Sequence, residues 1–243
     1  MQSVVDREER PKEEATVANY VMSDIHGEAD RFHAMLKKIG FSNSDMLYII
    51  GDVIDRGPDG VALLREIIDA PNMILLMGNH EYMCVKSYSK NATLTDIQLW
   101  GCNGSRPTYE ALEKLRQKEM DNILFFLEGL PDHLELTVSG VKYHLVHGFP
   151  GRSTYDRVWG RPDPNTKNPL PDCRVIVGHT PVMLLQGDDA AQQEYAMGLY
   201  IRGDHMRIYH GENFIDLDCG CGHPVIIKAL SCLRLEDMAE FYT

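Results

Sequence analysis

The sequence predicts an α/β fold in which parallel strands alternate with helices. Three observations favour this class. The chain has 243 residues, 44% of them hydrophobic and 25% charged, so it is long enough to bury one large core. Short apolar, β-prone runs recur along it, and each ends directly in polar residues and glycine. Between the early runs lie segments with apolar residues at helical spacing, which is the arrangement of βαβ units.

In chain order, the first segment is polar. Residues 1–16 contain Pro11 and show no clean periodicity, so we expect a mobile leader that precedes a single domain over 17–243. Five later runs predict strands that end in polar loops. These runs are TVANYVMSDIHG (16–27), DMLYIIGDVIDRG (45–57), NMILLMGNHE (72–81), VKYHLVHGF (141–149) and RVIVGHT (174–180).

The segments between and after these runs complete the expected domain. Apolar residues at helical spacing predict helices over 28–39 and 59–70. The middle of the chain, 82–135, has partial helical periodicity, and we interpret it as a helical insertion that flanks the site. Residues 199–218 are expected to form strands that turn at RGDH and HGEN, and 225–235 alternates like a closing strand.

The chain is strongly acidic, with a formal net charge of -12. Nucleic-acid polymers and anionic membranes would repel such a surface, so neither is expected as a partner, and any anionic substrate must be bound locally. No apolar run approaches the ~18 residues of a membrane span, and the charged first segment differs from a secretory signal. We therefore expect a cytoplasmic protein whose six cysteines are reduced thiols.

Oxygen and imidazole ligands follow the predicted strands at equivalent positions. Each lies within a few residues of an apolar run and close to a glycine. The candidate metal ligands are Asp24, His26, Asp52, Asn79, His147 and His179. Because ligands bind beyond the carboxyl ends of strands in open α/β sheets, we expect these side chains to converge. Mixed Asp, Asn and His ligation suits Mn²⁺, Fe²⁺ or Zn²⁺ better than Ca²⁺.

Two metal ions could share these six ligands. In that arrangement Asp24 and His26 bind one ion, Asn79, His147 and His179 bind the other, and the carboxylate of Asp52 bridges them. Paired ions about 3.5–4 Å apart can trap a bridging water, lower its pKa and hold phosphate oxygens for in-line displacement. The pattern therefore predicts phosphoester hydrolysis.

The ordered loop motifs resemble those of the calcineurin-like metallophosphoesterases. They are most similar to the serine/threonine phosphoprotein phosphatase branch, in the small form found in bacteria and in bacteriophage lambda. The motifs are Asp24-Ile25-His26, Gly51-Asp52-Val53-Ile54-Asp55-Arg56-Gly57, Gly78-Asn79-His80-Glu81, His147-Gly148 and Gly178-His179-Thr180. The resemblance implies a four-layer β-sandwich of two mixed sheets flanked by helices, with an antiparallel half drawn from residues 135–235.

The resemblance also implies roles for residues in and beside the ligand set. His80 matches the proton donor to the leaving alkoxide, a role that suits a histidine at neutral pH. Asp55 matches the carboxylate that orients this histidine. Arg56 matches the guanidinium that holds phosphate oxygens, and Arg161 is similar to a second phosphate arginine. Asn79 is expected to contact the phosphate as well as a metal ion.

The activity implied is hydrolysis of a phosphomonoester by a hydroxide that bridges two divalent ions, expected to be Mn²⁺, with Fe and Zn as alternatives. Phosphoserine or phosphothreonine in a protein is the expected substrate, or else a small phosphoester. A symmetrical dinucleoside polyphosphate hydrolase is a second possibility, but that subfamily usually lacks the acid at the position of Asp55. A non-catalytic scaffold would have lost ligands or the proton donor, and this chain keeps them.

One cysteine-containing segment stays outside these roles. Cys219, Cys221 and His223 could hold Zn²⁺ with one further ligand, but no second cysteine-rich pair lies nearby in the sequence. The stretch FIDLDCG (214–220) resembles a family loop. We therefore interpret the segment as a loop at the rim of the active site, with its thiols incidental.

Overall fold

The computed structural model describes residues 17–243, so the expected leader lies outside the described residues. The strands of this part are β1 (Asn19–Met22), β2 (Met46–Ile49), β3 (Met73–Leu75), β4 (His133–Val138), β5 (Val141–Val146), β6 (Arg174–Val177), β7 (Tyr209–His210), β8 (Ile215–Asp216), β9 (Ser231–Arg234) and β10 (Glu240–Tyr242). Its helices are α1 (Ala29–Ile39), α2 (Gly60–Asp69), α3 (Asn79–Tyr88), α4 (Leu94–Cys102), α5 (Arg106–Leu112), α6 (Gln117–Glu128), α7 (Thr154–Trp159) and α8 (Asp189–Arg202), and a 3₁₀ turn spans Val182–Leu185. No helix in this range is both long enough and apolar enough to cross a membrane.

The strands form two five-stranded sheets, and both are mixed. The first has the order β10-β9-β1-β2-β3, in which β1, β2 and β3 are parallel and β9 and β10 are antiparallel to their neighbours. The second has the order β4-β5-β6-β8-β7, in which β5, β6 and β8 are parallel. Two mixed sheets with flanking helices confirm the predicted fold class.

The strands of the first sheet bury side chains on both faces. Met22 and Ile49 pack with Phe32 of α1 and Leu64 of α2 in one hydrophobic cluster. The alternate residues of the same strands, such as Val21, pack against the second sheet in another cluster. Because side chains alternate across a strand, this two-sided burial explains why the runs read as continuously apolar.

The fold places the predicted site where parallel strands of the two sheets end. The loops after β1 and β2 carry Asp24 and Asp52, Asn79 begins α3 just after β3, and the loops after β5 and β6 carry His147 and His179. Hydrogen bonds join the two sheets at this edge, since His147 Nδ1 lies 2.7 Å from the backbone oxygen of Ile50. Each loop therefore presents its polar side chains to one common point.

Two expectations about the C-terminal third were wrong. Residues 199–202 are helical rather than extended, because α8 continues to Arg202 and ends at Gly203 with a positive φ of 63°. Only 231–234 of the expected strand over 225–235 is a strand. Strand β10, which was not predicted, pairs with β9 at the sheet edge. The segment 82–135 holds most of α3, all of α4 to α6 and the first residues of β4.

Candidate active site

The strand-end loops adopt an unusual backbone conformation. Among the described residues, eight other than glycine have a positive φ, and six of these are predicted site residues: Asp24 (54°), His26 (48°), Asp52 (57°), Asp55 (70°), Arg56 (67°) and His179 (66°). Each such residue costs roughly 1–3 kcal/mol, so it persists only where its surroundings enforce it. Here the backbone N–H groups of the 24–27 loop donate to the 51–53 loop, at 2.9 Å from His26 N to Asp52 O.

The first group of candidate ligands surrounds the Nε2 atom of His26. This atom lies 3.5 Å from Asp52 Oδ2 and 3.9 Å from Asp24 Oδ1. His26 Nδ1 donates to the backbone oxygen of Ile54 at 3.0 Å, which fixes the ring and leaves Nε2 as the ligand atom. Burial, and then the charge of His80, hold the pKa of His26 well below its usual value. A neutral imidazole is the form that binds metal ions.

The second group meets at the other oxygen of Asp52. His147 Nε2 lies 3.3 Å from Asp52 Oδ1 and 2.9 Å from Asn79 Oδ1. His179 is also close, since the ligand atoms of Asp52, His147 and His179 lie within 4.8 Å of one another. The backbone N–H of His179 donates to Asp24 Oδ2 at 3.1 Å, which ties this group to the first. The carboxylate of Asp52 thus belongs to both groups.

The donor set of these buried atoms fits divalent cations. Within residues 17–243, His26 Nε2 and His179 Nε2 are buried without a hydrogen-bond partner. His147 Nδ1 faces the backbone oxygen of Ile50, and its Nε2 faces two acceptor oxygens, so a proton or a cation must lie between them. Against the effect of burial, Asp52 raises the pKa of His147 to about 10, which shows how strongly this cluster attracts positive charge. Bound cations would satisfy all of these atoms.

A buried glutamate holds two of the loops together. The Glu81 carboxylate accepts hydrogen bonds from the backbone N–H groups of Asp52 and Val53, both at 2.8 Å, and of Gly78 at 3.1 Å. Burial, and then the charge of Asp52, raise the pKa of Glu81 to about 7. Glu81 was part of a recognised motif, but the sequence did not indicate this role, because the backbone groups of Asp52, Val53 and Ile54 that it binds lie 27 to 29 residues away.

His80 lies beside the metal-ligand groups and is held by a second carboxylate. Its Nδ1 atom donates to Asp55 Oδ2 at 2.7 Å, and the indole Nε1 of Trp100 donates to the same oxygen at 2.8 Å. The backbone N–H of Asp55 donates to Thr108 Oγ1 at 2.9 Å. Burial lowers the pKa of His80, but Asp52 and Asp55 outweigh it and raise that pKa above its usual value. Trp100 and Thr108, which the sequence left without a role, thus support Asp55.

Two arginines contact residues of the site. Arg56 Nη2 lies 3.2 Å from His80 Nε2, and its backbone N–H donates to the oxygen of Gly104 at 2.9 Å. Arg161 Nη1 donates to the backbone oxygen of His179 at 2.9 Å. The structure therefore brings both predicted phosphate-binding arginines to the site. The guanidinium of Arg161 contacts the backbone of His179, whereas that of Arg56 contacts a side chain of the site.

A comparison with known protein families shows to which family the chain belongs. The profile of the calcineurin-like phosphoesterase family matches residues 20–207, which include all the candidate ligands and His80. The chain belongs to this family. The predicted relationship is confirmed.

The curated relatives of this phosphoesterase carry two kinds of name. Serine/threonine-protein phosphatase 2 of Escherichia coli (strain K12) is 31% identical over 134 residues, 54% of this chain and 59% of the relative. A symmetrical bis(5'-nucleosyl)-tetraphosphatase of Acidovorax sp. (strain JS42) is 36% identical over 107 residues, 43% of this chain and 38% of the relative. The chain thus spans less than two thirds of the length of either relative.

A solved structure supports the fold independently. A protein serine/threonine phosphatase from Saccharomyces cerevisiae superposes with a TM-score of 0.55 at 13% identity, over 91% of this chain and 73% of that one. At this identity the likeness concerns the fold alone. The phosphoesterase therefore shares the fold of that protein although few of their residues are identical.

The C-terminal cysteines of the phosphoesterase do not gather into a zinc site. Cys219 is buried in the cluster between the two sheets, whereas Cys221 packs in the cluster of helix-facing residues. His223 instead faces Arg56, with Nε2 3.2 Å from Nη1. The loop lies at the rim of the site, as interpreted from the sequence, but the sequence assigned no function to His223.

Replacing Gly78 with alanine is expected to disturb the site. A Cβ atom at Gly78 would collide with the side chain and backbone of Asp52 and with Glu81 Oε2. We expect a loss of about 1–3 kcal/mol in the free energy of unfolding, the usual range for overpacking, together with reduced metal content. Urea unfolding and elemental analysis measure these two quantities.

Gly101→Ala is the matched control for this substitution. Nothing lies within 4 Å of a Cβ atom at Gly101, which is exposed near the end of α4. We expect Gly101→Ala to raise the free energy of unfolding by about 0.5–1 kcal/mol, since alanine favours helix. If both variants had the same stability and metal content, contact at Gly78 would not fix the position of Asp52.

Proposed function

We propose that this phosphoesterase is a phosphomonoesterase with two divalent ions and that it acts on phosphoserine and phosphothreonine in proteins. The observation that carries the proposal is the pair of His80 and Asp55, joined at 2.7 Å beside the Asp52 carboxylate, which lies within reach of His26 and of His147. This arrangement combines a proton donor with sites for cations that neutralise phosphate charge. We propose Mn²⁺ as the ion, with Fe and Zn as alternatives.

The candidate ligands divide between two ions in this proposal. Asp24 and His26 would hold one ion, Asn79, His147 and His179 the other, and Asp52 both. When bound, such a pair of ions supplies an activated water and electrostatic stabilisation of the phosphate oxygens. The unpartnered Nε2 atoms of His26 and His179 support this division.

The remaining residues would bind the phosphate and move a proton. Hydrolysis breaks the bond between phosphorus and the alkoxide oxygen of serine or threonine, and that oxygen must gain a proton as it leaves. His80 would donate it from Nε2, because Asp55 holds its Nδ1–H and so fixes which nitrogen faces the substrate. Arg56, Asn79 and Arg161 would hold the phosphate oxygens, since they contact His80, His147 and the backbone of His179 respectively.

The surface around the site supports a substrate larger than phosphate. A cleft of about 550 Å³ adjoins Arg56 and is lined in part by Asn103 and Lys228. A second cleft, of about 470 Å³, adjoins Arg161 and Trp159. A protein segment with a phosphorylated side chain could place residues in both clefts. Because the chain has a net charge of -12, we propose that basic residues beside the phosphate improve the substrate.

A symmetrical dinucleoside polyphosphate hydrolase is the second candidate. Relatives with that name, such as the one from Acidovorax sp. (strain JS42), match this chain at 36% identity over 107 residues. The two clefts beside the arginines could also receive nucleosides. Asp55 favours the phosphatase, since a buried carboxylate bound to His80 keeps a proton donor protonated and oriented, and an alkoxide needs that donor more than a nucleotide leaving group does.

A competition between substrates tests the two candidates. We expect the Mn²⁺-loaded protein to hydrolyse phosphoserine and phosphothreonine peptides with kcat/KM at least about 10-fold above that for diadenosine tetraphosphate. Removal of metal with a chelator should abolish both activities, and Mn²⁺ should restore them. A preference for diadenosine tetraphosphate would establish the second candidate. No hydrolysis with any of a panel of divalent metals would contradict both.

A further inference from the structure

Arg56 lies beside two imidazoles and not beside a carboxylate. Its Nη2 atom lies 3.2 Å from His80 Nε2, and its Nη1 atom lies 3.2 Å from His223 Nε2. No ion pair of Arg56 occurs within residues 17–243. An arginine without a carboxylate partner keeps its full charge for an anion, but it also lacks the contact that usually fixes a guanidinium in one plane.

His223 supplies a fixed acceptor for this guanidinium. Because arginine can only donate, the contact with Arg56 Nη1 requires the lone pair of His223 Nε2 and hence the neutral ring with its proton on Nδ1. Burial, and then the charges of Arg56 and Arg161, lower the pKa of His223 to about 4, which agrees with a neutral ring. His223 is half-buried beside Arg56 and is not a member of either ligand group.

The loop that carries His223 is anchored against the metal-ligand side of the site. The Gly222 backbone packs on the ring of His26 so closely that a Cβ atom there would collide with it. The preceding Cys221 is buried, and the His223 N–H donates to the oxygen of Gly220 at 2.9 Å. The imidazole of His223 therefore projects from a rigid segment, which is what a group that orients another side chain requires.

The same two side chains line the cleft of about 550 Å³ beside the site. Arg56 also contacts His80, so its guanidinium lies between this cleft and the proposed phosphate site and needs a fixed orientation to bind phosphate. We propose that His223 is a positioning residue: by accepting a hydrogen bond from Arg56 Nη1, it orients the guanidinium for two-point binding of a phosphomonoester. This proposal rests on the proposed function, since it assigns a phosphate to Arg56.

The test compares two substitutions of His223 in the Mn²⁺-loaded protein. His223→Leu keeps the bulk but removes the acceptor, whereas His223→Gln can still accept from Arg56. We expect His223→Leu to weaken binding of inorganic phosphate, measured by titration calorimetry, by about 10- to 100-fold, as for loss of a hydrogen bond to a charged group. The KM for a phosphopeptide should rise with it, while metal content stays unchanged. His223→Gln should restore most of the binding.

A double-mutant cycle shows whether His223 acts through Arg56. If it does, His223→Leu should have no further effect on phosphate binding in a protein that already carries Arg56→Ala. An equal loss in both backgrounds, or no loss in either, would overturn the proposal. His33→Leu is the control, because His33 is exposed on α1 and pairs only with Glu66.

The outcomes separate this proposal from the proposed function. A wild-type protein that binds phosphate but hydrolyses no phosphoester would contradict the proposed function, and the calorimetric cycle would still test His223. A wild-type protein that hydrolyses phosphopeptides with unchanged phosphate binding in His223→Leu would contradict the role of His223 alone. If His223→Leu were unfolded, its Tm would be lowered and the test would depend on His223→Gln. Phosphate binding by His223→Gln that is much weaker than that of the wild type would then overturn the proposal.

Discussion

Asp52→Asn is expected to remove most of the bound metal and to reduce phosphoester hydrolysis by more than about 100-fold. Loss of a residue that only supports a metal ligand costs up to about 100-fold, and Asp52 is proposed as a ligand itself. Asp52 is the residue that joins the two ligand groups, with Oδ1 3.3 Å from His147 Nε2 and Oδ2 3.5 Å from His26 Nε2. An amide is neutral and presents only one oxygen, so it cannot serve both groups. Elemental analysis of the purified variant, together with its kcat/KM for a phosphopeptide, measures the two effects.

The charge of Asp52 also balances the histidines around it. Burial alone would raise the pKa of this carboxyl, but His147 and His80 hold it well below its usual value, so it is ionised whenever the site is folded. Asp69→Asn is the matched control, since Asp69 is exposed at the end of α2. Two ions per chain in Asp52→Asn, at the level of the control, would contradict the bridging role.

His80→Ala is expected to slow hydrolysis of an alkyl phosphate, such as a phosphoserine peptide, by roughly 10²–10⁴. Its Nδ1–H is bound by Asp55 at 2.7 Å, and its other nitrogen faces the space beside Arg56. Because p-nitrophenolate leaves without needing a proton, its phosphate ester should be affected far less. The ratio of the two losses in kcat therefore reports proton donation rather than general damage.

Metal content distinguishes the two roles that geometry allows His80. Its ring belongs to a possible metal group with His26 and Asp52, whose ligand atoms lie within 4.8 Å of one another. A proton donor can be removed without loss of metal, whereas a ligand cannot. We expect His80→Ala to keep its metal, with His33→Ala as the control. Loss of an ion, or equal losses of kcat on both substrates, would mean that His80 is not the donor.

These two predictions depend on a site that is already organised by the chain. Six site residues with positive φ are held by hydrogen bonds between adjacent loops and by the carboxylate of Glu81. Rigid placement of ligands and donors is what catalysis by positioning requires, since it avoids reorganisation during the reaction. The strain in the backbone is thus located where function needs fixed geometry.

Much of the site could be predicted because its signals are local. A ligand that directly follows an apolar run must lie at the end of a strand, and parallel strands end together. This reasoning placed Asp24, Asp52, Asn79, His147 and His179 at one point, where the structure has them. The family resemblance added the expectation that Asp55 meets His80, and the contact at 2.7 Å agrees with it.

Local signals failed where the fold depends on distant partners. The end of α8, the short strand β9 and the edge strand β10 were misjudged or missed, because strands of two to four residues carry little periodicity and are defined by what they pair with. The same limit hid the role of Glu81, which binds the backbone N–H groups of Asp52 and Val53 in another loop.

The sequence by itself determined the α/β class, the family and the side-chain types suited to metal binding, proton donation and phosphate binding. These features depend on short stretches of neighbouring residues, namely an apolar run and the polar residues that directly follow it. Only the tertiary structure decided that Trp100 supports Asp55 and that His223 meets Arg56. The last contact joins residues 167 positions apart, and no local pattern encodes it. Its physical cause is the packing of Gly222 on His26, which exists only in the folded chain.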